Sequence, residues 1–95
     1  MVYKDFYHLM LEYFTQPVEL FTSAKKKPFT LYAEEQKLFV RNGKNNISRI
    51  NPSEVAAFVE RFEESESLLA KDYQDVTFKA SYLLAAMKYI TVKTH

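Results

Sequence analysis

Between Phe29 and Phe62 the apolar residues change their spacing once, and the change falls on Asn51-Pro52-Ser53-Glu54. Before that point Phe29, Leu31 and Ala33 alternate with Thr30, Tyr32 and Glu34, the pattern of a strand with one buried face. After it Val55, Phe58, Val59 and Phe62 recur at helical spacing, with Glu60, Arg61, Glu63 and Glu64 pointing away. The junction is itself a helix start. Asn51 suits the N-cap, Pro52 brings the fixed φ of a first helical residue, and Glu54 is placed to reach back to the cap. A chain that passes from strand period to helix period at so definite a boundary sets a sheet beside a helix, which points to the α+β class.

The flanking segments extend this pattern. Residues 3–14 read as an amphipathic helix with Phe6, Leu9, Met10, Tyr13 and Phe14 on one face, ended by Thr15-Gln16-Pro17. Val18–Phe21 fits either a short helical turn or an extended connector. Residues 23–28 form a polar loop, residues 29–33 a first strand, Glu34-Glu35-Gln36 a turn and Lys37–Arg41 a second strand. Asn42-Gly43 is the strongest hairpin signal, because a type I′ turn needs positive φ at both central residues and Gly43 is the only glycine. Ile47–Ile50 makes a third strand. A helix from Pro52 to about Ser65 and a mixed connector follow. The last helix is expected from Phe78 to about Ile90, capped by Thr77, with Phe78, Tyr82, Leu83, Ala86 and Ile90 buried and Thr91–His95 frayed. The expected architecture is a single domain over residues 1–95. It is a three-stranded antiparallel meander with three helices packed on one face, in the order α-β-β-β-α-α.

Composition bounds what such a domain can do. The chain has 95 residues, 47% of them apolar, which suffices for one modest core. It has no cysteine, which excludes a thiol nucleophile and a cysteine zinc site and favours a reducing compartment. A single glycine cannot build a P-loop, a dinucleotide fingerprint or a serine-hydrolase elbow. The N-terminus lacks the pattern of a signal peptide, and the longest apolar stretch, residues 81–90, is too short to span a bilayer. A cytoplasmic protein without catalytic activity, metal or cofactor is the expectation. His8 and His95 have no sequence partner that suggests a dyad. A metal-dependent nuclease site assembled from Glu34, Glu54 and Lys37 is the enzymatic alternative.

The net charge of +1 conceals a strong alternation. Residues 23–50 hold seven bases and two acids, a sum of +5, and residues 51–76 hold two bases and seven acids, a sum of −5. Lys25, Lys26, Lys27, Lys37, Arg41, Lys44 and Arg49 all fall in or beside the expected sheet, with Tyr32 and Phe39 among them. Cations interleaved with aromatic rings are what a sheet needs to follow a phosphate backbone and stack bases. The same residues have a purely structural explanation, since Lys and Arg on a sheet protect its edges from pairing. Eight Phe and seven Tyr exceed what a core this small consumes, so some rings are expected at an interface. The sequence thus points to a binding module, acting as a homodimer with protein partners or, alternatively, binding nucleic acid through Lys25, Lys26, Lys27, Tyr32, Lys37, Arg41, Lys44 and Arg49. Two copies related by a twofold axis would bring basic sheet to acidic helix.

Ile47-Ser48-Arg49, the capped helix from Asn51 to Phe62, Asp72-Tyr73 and the run from Ala80 to Ala85 together form a pattern. Over residues 29–87 it resembles small uncharacterised prokaryotic proteins, some of them carried on mobile gene cassettes of the integron type. That pattern has a glycine near Glu66 and a small polar residue at Lys79. The resemblance implies no activity, and it places similar segments near DNA-acting proteins.

Overall fold

The computed structural model describes residues 5–22 and 25–93. Residues 3 and 4 of the expected first helix, Ser23 and Ala24 of the polar loop, and the end of the tail with His95 lie outside the described residues. The chain runs through α1 (Phe6–Tyr13), β1 (Val18–Phe21), β2 (Pro28–Glu34), β3 (Lys37–Asn42), β4 (Ile47–Ile50), α2 (Pro52–Ser65), a 3-10 turn at Ala70–Tyr73 and α3 (Ala80–Lys93).

The α+β class is as expected, but the sheet has four strands in the order β1-β2-β3-β4, all neighbours antiparallel. The added strand is Val18–Phe21, whose sequence fits both helix and connector. The partner strand decides the matter. Val18 stands opposite Leu31 and Phe21 opposite Pro28, so β2 takes up hydrogen bonds that a single helical turn leaves unmade. Val18 and Leu20 are half-buried while Glu19 and Phe21 are exposed, the alternation of a strand with one covered face.

Phe29, Leu31, Leu38, Val40 and Ile50 point from the sheet into the core and are at most 2% exposed. Burial of each contributes about 1.5–3 kcal/mol. Phe6 and Met10 of α1 and Phe14 just beyond its end meet them, and Val55, Phe58 and Val59 of α2 and Leu83, Leu84, Met87 and Ile90 of α3 complete the same core. Phe29 of the sheet meets Tyr82 of α3 at 4.7 Å between centroids, and within the helical layer Phe14 meets Tyr89 at 5.5 Å and Phe58 meets Tyr73 at 4.8 Å. The helices therefore cover one face of the sheet and leave the other open.

At the start of α2 the Asn51 amide donates to Glu54 Oε2 (3.0 Å), and the Glu54 amide donates to the Asn51 carbonyl (3.0 Å). Lys79 Nζ also donates to both oxygens of Glu54 (3.1 and 3.2 Å), so one carboxylate closes the α2 cap and fastens the approach to α3. The helix ends on Glu66, which adopts a left-handed φ of 53°.

Three further expectations are corrected. Phe78 is 95% exposed and lies outside α3. Thr77 is the residue buried at that corner, and its hydroxyl accepts the Lys79 amide (3.1 Å). That turn delays the helix until Ala80 and swings Phe78 outward. The last helix also runs past Ile90 and through Thr91, continuing to Lys93. The hairpin glycine does not have a positive φ: in the β3–β4 loop Asn45 (65°) does, whereas Glu35 (52°) and Gln36 (64°) form the two-residue turn between β2 and β3.

Candidate nucleic-acid interface

The register of the sheet decides which side chains share its open face. Tyr32 of β2 stands opposite Phe39 of β3, which stands opposite Arg49 of β4. The next row in the direction of the lysine loops is Glu19, Thr30, Arg41 and Ile47. Because side chains alternate along each strand, these residues all face away from the helices. Tyr32 and Phe39 stack with centroids 5.5 Å apart and planes inclined by 21°. They form a small aromatic platform at the middle of the face, half-buried by each other and their neighbours. Arg41 and Arg49 are exposed beside it.

The turn of Lys25–Lys27 and the β3–β4 loop with Lys44 lie at the same end of the sheet. Pro28 begins β2 there, opposite Phe21, and a Cβ on Gly43 would sit 3.7 Å from the Pro28 carbonyl oxygen. The lysine turn is anchored by Thr22, a residue without any distinguishing sequence signal. Its amide donates to the Lys27 carbonyl (2.9 Å), its carbonyl accepts from the Lys26 amide (3.1 Å), and its hydroxyl accepts the Lys27 amide (2.9 Å). Lys26 takes a left-handed φ of 54° within this turn. The Lys44 loop is held by Asn42, whose Oδ1 accepts from the amides of Lys44 (2.9 Å) and Asn46 (3.0 Å). These anchors place four lysines at one end of the open face.

Of the eight candidates, four lie on the face itself, Tyr32, Lys37, Arg41 and Arg49, and four at its end, Lys25, Lys26, Lys27 and Lys44. Lys37 is at the far end of the face, opposite Glu34 and four residues along β3 from Arg41, so roughly 13 Å away. Phe39 belongs with them, because the register makes it the partner of Tyr32. Phe21 and Ile47, 55% and 57% exposed, add apolar surface to the same face.

Among the described residues the ion pairs are Arg61–Asp75 (2.7 Å) and Lys79–Glu54 (3.1 Å), both in the helical layer. The bases of the open face and its loops thus have no carboxylate within ion-pair distance among those residues. Arg61 is different: it donates two bonds to Asp75 (2.9 and 2.7 Å) and one to the Asp72 carbonyl (3.0 Å). The guanidinium holds the Asp75 carboxyl below the usual carboxylate range, through the hydrogen bond first.

The elements of the alternative nuclease site are occupied differently. The Glu54 carboxylate is engaged by Asn51 and Lys79, while Glu34 faces outward at the β2–β3 turn. Among the described residues no group of three or more His, Asp and Glu side chains is arranged to hold a metal. His8 is exposed on α1, edge-on to Tyr7. No described helix is long and apolar enough to cross a membrane. Compared with known proteins, the chain matches no family model, no curated protein and no solved structure, so its own geometry carries the functional reading.

Proposed function

We propose that this protein is a small nucleic-acid-binding module that works without catalysis of its own, through the open face of its sheet. The observation that carries the reading is the stacked pair Tyr32–Phe39, in line with Arg49 and one row from Arg41, on the face the helices leave uncovered. Rings supply a surface for bases, and planar guanidinium groups supply bidentate donors for phosphate. The lysine turns at one end add charge for the backbone. A face that merely protected its edges would need the cations and not the ring pair at its centre.

Fluorescence anisotropy with labelled oligonucleotides of mixed sequence tests the proposal. Affinity should fall steeply with added salt, since each phosphate contact releases counterions. Arg41→Glu combined with Arg49→Glu should abolish binding while the thermal transition stays in place, because both side chains are exposed. Absence of binding at low salt and micromolar protein would sink the idea.

A second reading, self-association in a cytoplasmic homodimer, is favoured by the apolar exposure of Phe21 and Ile47 on this face. Face-to-face contact of two sheets would bury these residues together with the ring pair. Such a dimer would occupy the surface nucleic acid requires, so the two readings compete for one site.

A further inference from the structure

Resting on the nucleic-acid reading above, we infer that the ligand is a single strand, whose unpaired bases lie on Tyr32 and Phe39 while its phosphates pass Arg41 and Arg49 toward the lysine turns. The first reason is the form of the surface. A duplex keeps the faces of its bases in the stack and offers an outside of phosphate ridges and groove edges. Reading it takes an element that projects into a groove. Here the rings and guanidinium groups lie on a sheet, and the two rings are held at the centre of the face by stacking on each other at 5.5 Å. From that position they reach a base face that is already exposed, which only an unpaired nucleotide presents.

The distribution of charge gives the second reason. Lys25, Lys26, Lys27 and Lys44 lie at one end of the face, and at the other Glu34, which ends β2, and Glu35 in the turn outnumber the one base there, Lys37, which stands opposite Glu34. A rigid duplex laid across the whole face would press a phosphate ridge onto those two carboxylates. A flexible strand avoids them: its backbone keeps to the basic end and turns its bases toward the rings. Phe39 and Arg41 are two residues apart on β3, about 7 Å, so one ring and one guanidinium can serve the base and a phosphate of neighbouring nucleotides.

The chain contains no tryptophan, so Tyr32→Trp installs a single indole at the platform. Its emission is to be followed while three probes of one mixed sequence are added at low salt: single-stranded DNA, single-stranded RNA and duplex DNA. Stacking should quench the emission with a single strand and leave it nearly unchanged with the duplex. The two single-stranded arms report whether deoxyribose or ribose is preferred. In parallel, Tyr32→Leu and Phe39→Leu keep apolar bulk on the strand but remove the π face. Each should weaken single-strand binding by roughly 5- to 100-fold, as expected for one lost base–ring stack. Duplex bound as tightly as single strand with the indole unmoved, or leucine variants that bind like the parent, overturns this inference and leaves nucleic-acid binding standing. Binding of none of the probes overturns both.

Discussion

Gly43 is the only glycine of the chain, yet its backbone occupies a region open to any residue. The pairing of Asn42 with Asn46 makes the β3–β4 loop one residue longer than a two-residue hairpin turn. The Asn45 amide donates to the Asn42 carbonyl (3.0 Å), and the left-handed position moves on to Asn45. Local sequence cannot reveal this, because Asn-Gly is equally compatible with both loops until the strand register is set. Gly43→Ala should therefore raise stability by about 0.4–1 kcal/mol through the unfolded chain, since the new Cβ meets only ordinary contacts. The strain resides instead at Glu35 and Gln36, two residues with φ of 52° and 64° in the tight β2–β3 turn. Glu35→Asn combined with Gln36→Gly gives that turn the pair of residues that tolerates positive φ best. The double change should stabilise by roughly 1–2 kcal/mol and raise the thermal midpoint by several degrees.

At the scale of elements, α2 is the most legible part of the chain because its start is written in local chemistry: a cap residue, a proline and a carboxylate three positions on. Its end is less regular, since Glu66 holds the left-handed cap position that a glycine fills most easily. β1 is ambiguous in sequence because four residues are too few to establish a period, and only the backbone of β2 decides its conformation. The beginning of α3 is hidden for a related reason. Phe78 has the hydrophobicity of a core residue, but Thr77 takes the buried position. Phe78→Ser should accordingly leave thermal stability within about 0.5 kcal/mol of the parent, as for surface changes in general. The Arg61–Asp75 pair ties α2 to the connector. Its contribution is present above the unfolded carboxyl pKa and is lost as pH falls through the lower folded value. Acid unfolding curves of the parent and of Asp75→Asn should therefore converge below the usual carboxylate range and separate above it.

For the molecule as a whole, the charge runs of the sequence become two opposite sides. The basic turns and arginines border the open sheet face, and Glu60, Glu63 and Glu64 lie on the exposed side of α2 in the layer behind it. Both runs are visible in the sequence, which cannot show that the fold sets them back to back. That placement changes the geometry of any association. A twofold pair cannot bring sheet to helix twice when the two patches look in opposite directions; sheet-to-helix contact is heterologous and propagates from copy to copy. A twofold pair would instead join two sheet faces, burying Phe21, Tyr32, Phe39 and Ile47 against like charge. Salt separates the two arrangements. Screening weakens the attraction between sheet and helix, whereas it relieves the repulsion between two basic faces and leaves their apolar contact intact. Light scattering across a concentration series should show mass rising without a plateau, and only at low salt, if sheet meets helix. A dimer that saturates and is strengthened by salt identifies the sheet-to-sheet pair. In either case a single strand that occupies the sheet should return the protein to a one-to-one complex, and self-association that persists at saturating strand would place the contact elsewhere.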